Sequence, residues 1–178
     1  MAEVLLKTEE LTKSFGGLVA IQELSMEVEA GEIHAVIGPN GAGKTTLIAQ
    51  LSGSLKPDSG RILFENLEIT HVPEYRRSAL GLARSFQITS VLKNFSALDN
   101  VALAVQAHAG HSFRFWSKAR KAQELRVPAL EILEKIGLTN RMNIPASSLS
   151  HGEQRQLELA MALATLPKLL LLDEPMAG

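Results

Sequence analysis

The chain has 178 residues, 46% of them hydrophobic, enough for one sizeable core with a second lobe but not for two full domains. A formal net charge of -1 with 21% charged residues argues against a wholesale nucleic-acid binder or an acidic tail, and the lack of cysteine removes disulfides and thiolate metal sites. The opening MAEVLLKTEE carries only a short apolar run broken by Lys7, and the run from Leu169 to Leu172 is far below the ~20 residues that span a bilayer, so a cytoplasmic protein whose membrane link is indirect is expected.

Residues 1–30 read as an antiparallel β lobe: Leu24, Met26 and Val28 alternate on one face, and Gly16-Gly17 supplies the turn before them. Residues 33–37 form a near-continuous apolar run interrupted by His34, which predicts a buried strand, and a helix is expected over residues 44–51. The composition of residues 56–60 predicts a turn, followed by a short strand at residues 62–64. In the middle, Ser96 or Asp99 can cap a helix through Val101, Leu103 and Val105, and Leu130, Leu133 and Ile136 mark a second helix ending at Gly137. A helix over residues 152–166 and a buried strand at residues 169–172 complete the series. The parts assemble into an α/β fold: a core from residues 31–87 and 167–178, the β lobe, and a helical subdomain over residues 88–166.

Gly38-Pro39-Asn40-Gly41-Ala42-Gly43-Lys44-Thr45 satisfies G-x-x-x-x-G-K-[ST] between an apolar run and a helix, the context in which that motif binds phosphate. Its glycines let backbone N–H groups close around a β-phosphate, Lys44 supplies a point charge, and Thr45, followed by Thr46, is a ligand for Mg²⁺. ATP is therefore the expected nucleotide. Leu169 to Leu172 delivers Asp173 and Glu174 at a strand end, where Asp173 would hold Mg²⁺ and Glu174 would polarise the attacking water. Leu149-Ser150-His151-Gly152-Glu153-Gln154 opens a helix and makes a second helix start suited to phosphate. His108 and His111 lack a third ligand nearby and read as solvated loop residues, and the patch from Phe113 to Lys121 reads as a surface or partner-contact loop, so no nucleic acid is expected.

With those motifs in this order, the chain resembles the ATP-binding subunits of ABC transporters. Residues 149–154 resemble the LSGGQ signature, with His151 and Glu153 at variable positions. The resemblance implies a phosphate-loop NTPase core of RecA-like, ABC type, and a head-to-tail dimer in which Ser150, His151, Gly152 and Glu153 act in trans on the partner's nucleotide. It also implies that Phe15 stacks on adenine and that Gln87 reaches Mg²⁺ or the attacking water. Ser14-Phe15-Gly16-Gly17, Arg84-Ser85-Phe86-Gln87, the insertion through Phe113-Arg114-Phe115-Trp116, and Glu174-Pro175-Met176-Ala177-Gly178 narrow the likeness to importers of branched-chain or hydrophobic amino acids, with urea and amide importers close by. Such subunits sit on the cytoplasmic face of the membrane, bound to permease subunits and served indirectly by a solute-binding protein. Family members continue past the Walker B strand to further strands and a switch-loop histidine, none of which follows Glu174 here; the last strands are therefore expected to be missing. The rival readings are a soluble ABC ATPase acting on ribosomes or DNA, and a nucleotide-binding fragment without turnover.

Overall fold

In the computed structural model, residues 3–84, 91–108 and 123–173 are described, and they fall into two units that divide after Leu82.

The first unit is built on a hairpin of β1 (Val4–Phe15) and β2 (Leu18–Glu29). The two strands pair antiparallel from Val4↔Glu29 to Phe15↔Leu18, leaving Gly16-Gly17 as the turn, and Gly16 takes a left-handed φ of 58° that an L side chain resists. On β2 the expected alternation holds: Leu24, Met26 and Val28 are partly or fully buried while Ser25, Glu27 and Glu29 are exposed. β3 (Ser59–Phe64) pairs antiparallel with β1, and β4 (Leu67–Glu68) pairs with β3, giving the sheet order β2-β1-β3-β4. The lobe thus recruits residues well beyond the first thirty. Leu6, Leu11, Ile62, Phe64 and Ile69 are its most deeply buried apolar side chains.

Two helices accompany that sheet in the first unit, α1 (Lys44–Ser52) and α2 (Glu74–Leu80). They are joined by Arg77, which is 1% exposed. Its guanidinium donates to the carbonyls of Gln50 and Leu51 at 2.8 Å each, of Val72 at 2.8 Å and of Thr70 at 3.0 Å. Two of those acceptors are carbonyls in the last turn of α1, where a cation also meets the negative end of the helix dipole. Burial pushes the Arg77 pKa down to about 10, with the charge of Glu74 opposing that shift, so the side chain remains cationic at neutral pH.

The expected strand at residues 33–37 is not formed. The segment has no ladder partner among the described residues, and Ile33 and Ile37 are 97% and 91% exposed. An apolar run acquires strand character only by pairing, and here it pairs with nothing described.

The second unit begins at Ala83. The strand β5 (Leu82–Arg84), which straddles the boundary, pairs with β6 (Leu169–Leu171). The rest is helical: α3 (Ala97–His108), α4 (Gln123–Ile136) and α5 (His151–Leu163). Ala97, Leu98, Val101, Ala129, Leu133, Leu157 and Ala160 meet in their common core. Of the residues whose spacing signals α4, Leu133 is buried and Ile136 packs against the helical core, while Leu130 is exposed; the helix begins at Gln123 and ends, as expected, at Gly137. Ser96 caps α3, its hydroxyl accepting from the Asp99 amide at 3.1 Å. The helix α5 stops at Leu163, short of residue 166.

Candidate functional site

The phosphate loop belongs to the first unit. Residues 38–42 are exposed, and the chain turns into α1 at Gly43, which has φ 85° and ψ 5°. A Cβ at Gly43 would come within 2.3 Å of the Ala20 carbonyl oxygen on β2, so both the left-handed backbone and the close approach exclude any other residue. Gly41 shares the left-handed conformation with φ 84°. At Lys44 the ammonium folds back on its own loop and donates to the carbonyls of Gly38 at 2.7 Å and Pro39 at 2.8 Å. Those weak neutral acceptors hold the ammonium at the loop, and anionic phosphate oxygens would compete for it effectively.

The start of α1 has no side-chain cap and no acidic residue in its first turn. Its leading N–H groups, with the positive end of the helix dipole behind them, are the donors that an anion at the loop would meet. Thr45 and Thr46 occupy the first turn. Phe15, at the end of β1, is 49% exposed with the Lys13 ammonium 5.6 Å from its ring centroid.

The signature segment lies in the second unit and is built differently. Ser150 caps α5 in a full capping box: its hydroxyl accepts from the Glu153 amide at 3.3 Å, and the Glu153 carboxylate accepts from the Ser150 amide at 2.8 Å. The second Glu153 oxygen accepts from Arg141 Nε at 2.8 Å. The Ser150 amide first, then the Ser150 side chain and the Arg141 guanidinium, hold the Glu153 carboxyl below its usual pKa. His151 and Gly152 are exposed at the head of the helix.

A short tertiary ladder sets this segment in place. The amides of Ala97 and Leu98 donate to the Ile144 and Met142 carbonyls at 3.1 and 2.9 Å, and those of Ala146 and Ser147 donate to Phe95 and Lys93 at 2.9 Å each. Buried Asn100 fixes the other side: it accepts from the Leu92 amide at 2.8 Å and donates to the carbonyls of Leu92, Phe95 and Ser96 at 3.1, 3.3 and 2.9 Å. Leu149 is buried in the helical core, so the residue before Ser150 anchors the motif from below.

Asp173 follows β6 and is 8% exposed. Arg84 Nη2 on the neighbouring strand β5 lies 3.4 Å from Asp173 Oδ2, with both side chains largely out of solvent. Gln87, Glu174, His111 and the patch from Phe113 to Lys121 lie outside the described residues. Sequence reasoning passed over Arg77, Arg84, Asn100 and Arg141.

A helix start built to receive phosphate, joined in one chain to a capped signature segment and an acidic strand end, defines a nucleotide-binding cassette. The ABC transporter family model matches residues 21–177, and the chain belongs to that family, which makes it an ABC-type ATPase. It is 39% identical over 176 residues to a probable branched-chain amino acid transport ATP-binding protein, LivG, of Archaeoglobus fulgidus, covering 98% of this chain and 68% of that one. The corresponding BraF protein of Pseudomonas aeruginosa is 36% identical over 186 residues, covering 100% of this chain and 72% of that one. Among solved structures, the ADP conformation of MJ1267, an ATP-binding cassette of an ABC transporter, matches at a TM-score of 0.82 and 34% identity, over 98% of this chain and 70% of that one. The chain is accordingly a nucleotide-binding protein. Among the described residues no helix is long and apolar enough to cross a membrane.

Proposed function

We propose that the chain is the ATP-hydrolysing subunit of an importer for branched-chain or other hydrophobic amino acids. The observation that carries its energetic role is the α1 start, uncapped and free of acidic residues, behind a loop that holds Lys44 on its own carbonyls. The solute class follows the relatives, which are described as branched-chain amino acid transport ATP-binding proteins at 36–39% identity.

In this reading ATP lies with its phosphates over Gly38 to Thr45, and the Lys44 ammonium exchanges the Gly38 and Pro39 carbonyls for phosphate oxygens. Phe15 stacks on the adenine. Thr45 and Asp173 offer hydroxyl and carboxylate oxygens, the hard donors that suit Mg²⁺, with Gln87 as a further ligand. When bound, that ion neutralises charge developing on the phosphate oxygens. Glu174 accepts the proton of the attacking water, and Gln87 orients that water.

Ser150, His151, Gly152 and Glu153 serve the nucleotide of a second cassette in a head-to-tail dimer. The Ser150 hydroxyl suits this task, since it accepts from the Glu153 amide and keeps its own proton to donate to a phosphate oxygen. In this division of labour the helical subdomain meets permease subunits at the cytoplasmic face of the membrane, and a solute-binding protein acts through them.

The test is Glu174→Gln. ATP binding is expected to persist while turnover falls at least about a hundredfold, the range for losing a positioned base. Unchanged turnover would refute the assignment. Co-purification of the cassette with integral membrane subunits from detergent-solubilised membranes tests the transport role, and recovery with ribosomes or DNA instead would overturn it.

A further inference from the structure

We infer that Arg84 is a positioning residue for the metal site: it is the counter-ion that seats the Asp173 carboxylate when Mg²⁺ is away, and it opposes Mg²⁺ when the ion arrives. The inference rests on reading Asp173 as a Mg²⁺ carboxylate. Arg84 Nη2 lies 3.4 Å from Asp173 Oδ2, and the two side chains are 14% and 4% exposed. Arg84 ends β5 and Asp173 lies two residues past the end of β6, its hydrogen-bonded neighbour, so the pairing is set by backbone structure and not by a chance meeting of mobile side chains.

A carboxylate this buried requires compensation, because desolvation penalises the charged form and a nearby cation offsets that penalty. Arg84 provides it from a fixed strand. The same cation then lies close to wherever a divalent ion is held by Asp173. Two cations sharing one carboxylate repel each other strongly in a site poor in water. The contact therefore does two things: it holds the carboxylate in place without metal, and it weakens metal binding.

The experiment titrates MgCl₂ against the protein at a fixed concentration of a fluorescent ATP analogue, reading the Mg²⁺ concentration that half-maximally tightens binding, and separately records the melting temperature without metal or nucleotide. Arg84→Gln is expected to lower the Mg²⁺ midpoint by at least about tenfold, the lower end of what a unit charge within a few ångströms does to an ionic equilibrium, and to lower the metal-free melting temperature. Arg84→Lys, which keeps the charge, is expected to return both values towards the parent. An unchanged or raised Mg²⁺ midpoint in Arg84→Gln would overturn the inference.

Should Arg84→Gln fail to fold, the double variant Arg84→Gln/Asp173→Asn is expected to be more stable than Arg84→Gln, because it also removes the buried carboxylate charge that Arg84 faces. A double variant as unfolded as the single one would overturn the inference too. Asp173→Asn separates the two layers of the reading. If it leaves the Mg²⁺ midpoint unchanged, the metal role of Asp173 fails; if it shifts the midpoint and Arg84→Gln does not, only the counter-ion role fails.

Discussion

The two helix starts that the motifs point to are built on opposite plans. At α1 the head of the helix carries no side-chain cap and no acid, and its shape comes from left-handed glycines within a few residues of one another. At α5 the head is closed by a capping box between Ser150 and Glu153, and Arg141 clasps the same carboxylate from nine residues upstream of Ser150. The first is ready for an anion as it stands. The second has its Glu153 amide taken up by the Ser150 hydroxyl and its Glu153 carboxylate taken up by the Ser150 amide and Arg141.

The open start of α1 depends on its closed end, and that dependence is where the contrast breaks most easily. Arg77→Met removes the guanidinium from four carbonyls; that of Gln50 keeps the Gly53 amide, and losing the bonds to the other three should cost about 3 kcal/mol or more, given roughly 1–3 kcal/mol for each buried polar group left unpaired. Chemical denaturation checks this, and a loss below about 1 kcal/mol would mean that α1 does not rely on the contact. Gly43→Ala is next: strain at φ 85° and the clash with Ala20 should remove about 3 kcal/mol and lower ATP affinity at least tenfold, measured by calorimetry.

At α5 the effects are smaller because the cap lies at the surface. Ser150→Ala should cost about 1 kcal/mol of stability, the usual worth of a hydroxyl cap, and leave ATP affinity of the isolated subunit unchanged. A fall in that affinity would show that the signature segment acts on its own subunit's nucleotide. The smallest effect is a pH dependence. Glu153 has its folded pKa depressed below the ordinary 4.5, chiefly by the Ser150 amide, so its contribution is full above that value and is lost as pH falls through the lower folded value. Glu153→Gln should flatten the stability profile below about pH 4.5 and leave it unaltered near neutrality. An unchanged acid limb would show that the capping box does not form in solution.

The same contrast explains what could be read from the chain before its fold. Gly38 to Thr45 was legible because phosphate-loop geometry is local: spacing between glycines and one lysine carries it. The run at residues 169–172 was legible as a strand, though it closes at Leu171 and leaves Leu172 41% exposed, and the same rule misplaced residues 33–37, because strand formation is a property of pairs and the run carries no information about its neighbour. Ser150 was legible as a helix start, and the capping box that Glu153 closes with it emerges in the structure. Arg77 and Arg84 left no such signal. Arg77 finds its acceptors 26 and 27 residues back on α1, and Arg84 meets Asp173 across 89 residues, so their roles exist only once the chain has folded. A lone arginine in a sequence is most often a solvated one, and nothing in spacing distinguishes these two.

The central claim is that Gly38 to Thr45 binds ATP through the Lys44 ammonium, and the most direct measurement is ATP affinity in the parent chain and in Lys44→Ala by isothermal calorimetry. The account predicts that the parent binds and that Lys44→Ala loses at least tenfold in affinity with its fold intact, as expected for removing a charge-assisted contact of roughly 1.5–3 kcal/mol. Equal affinity in the two proteins would contradict it.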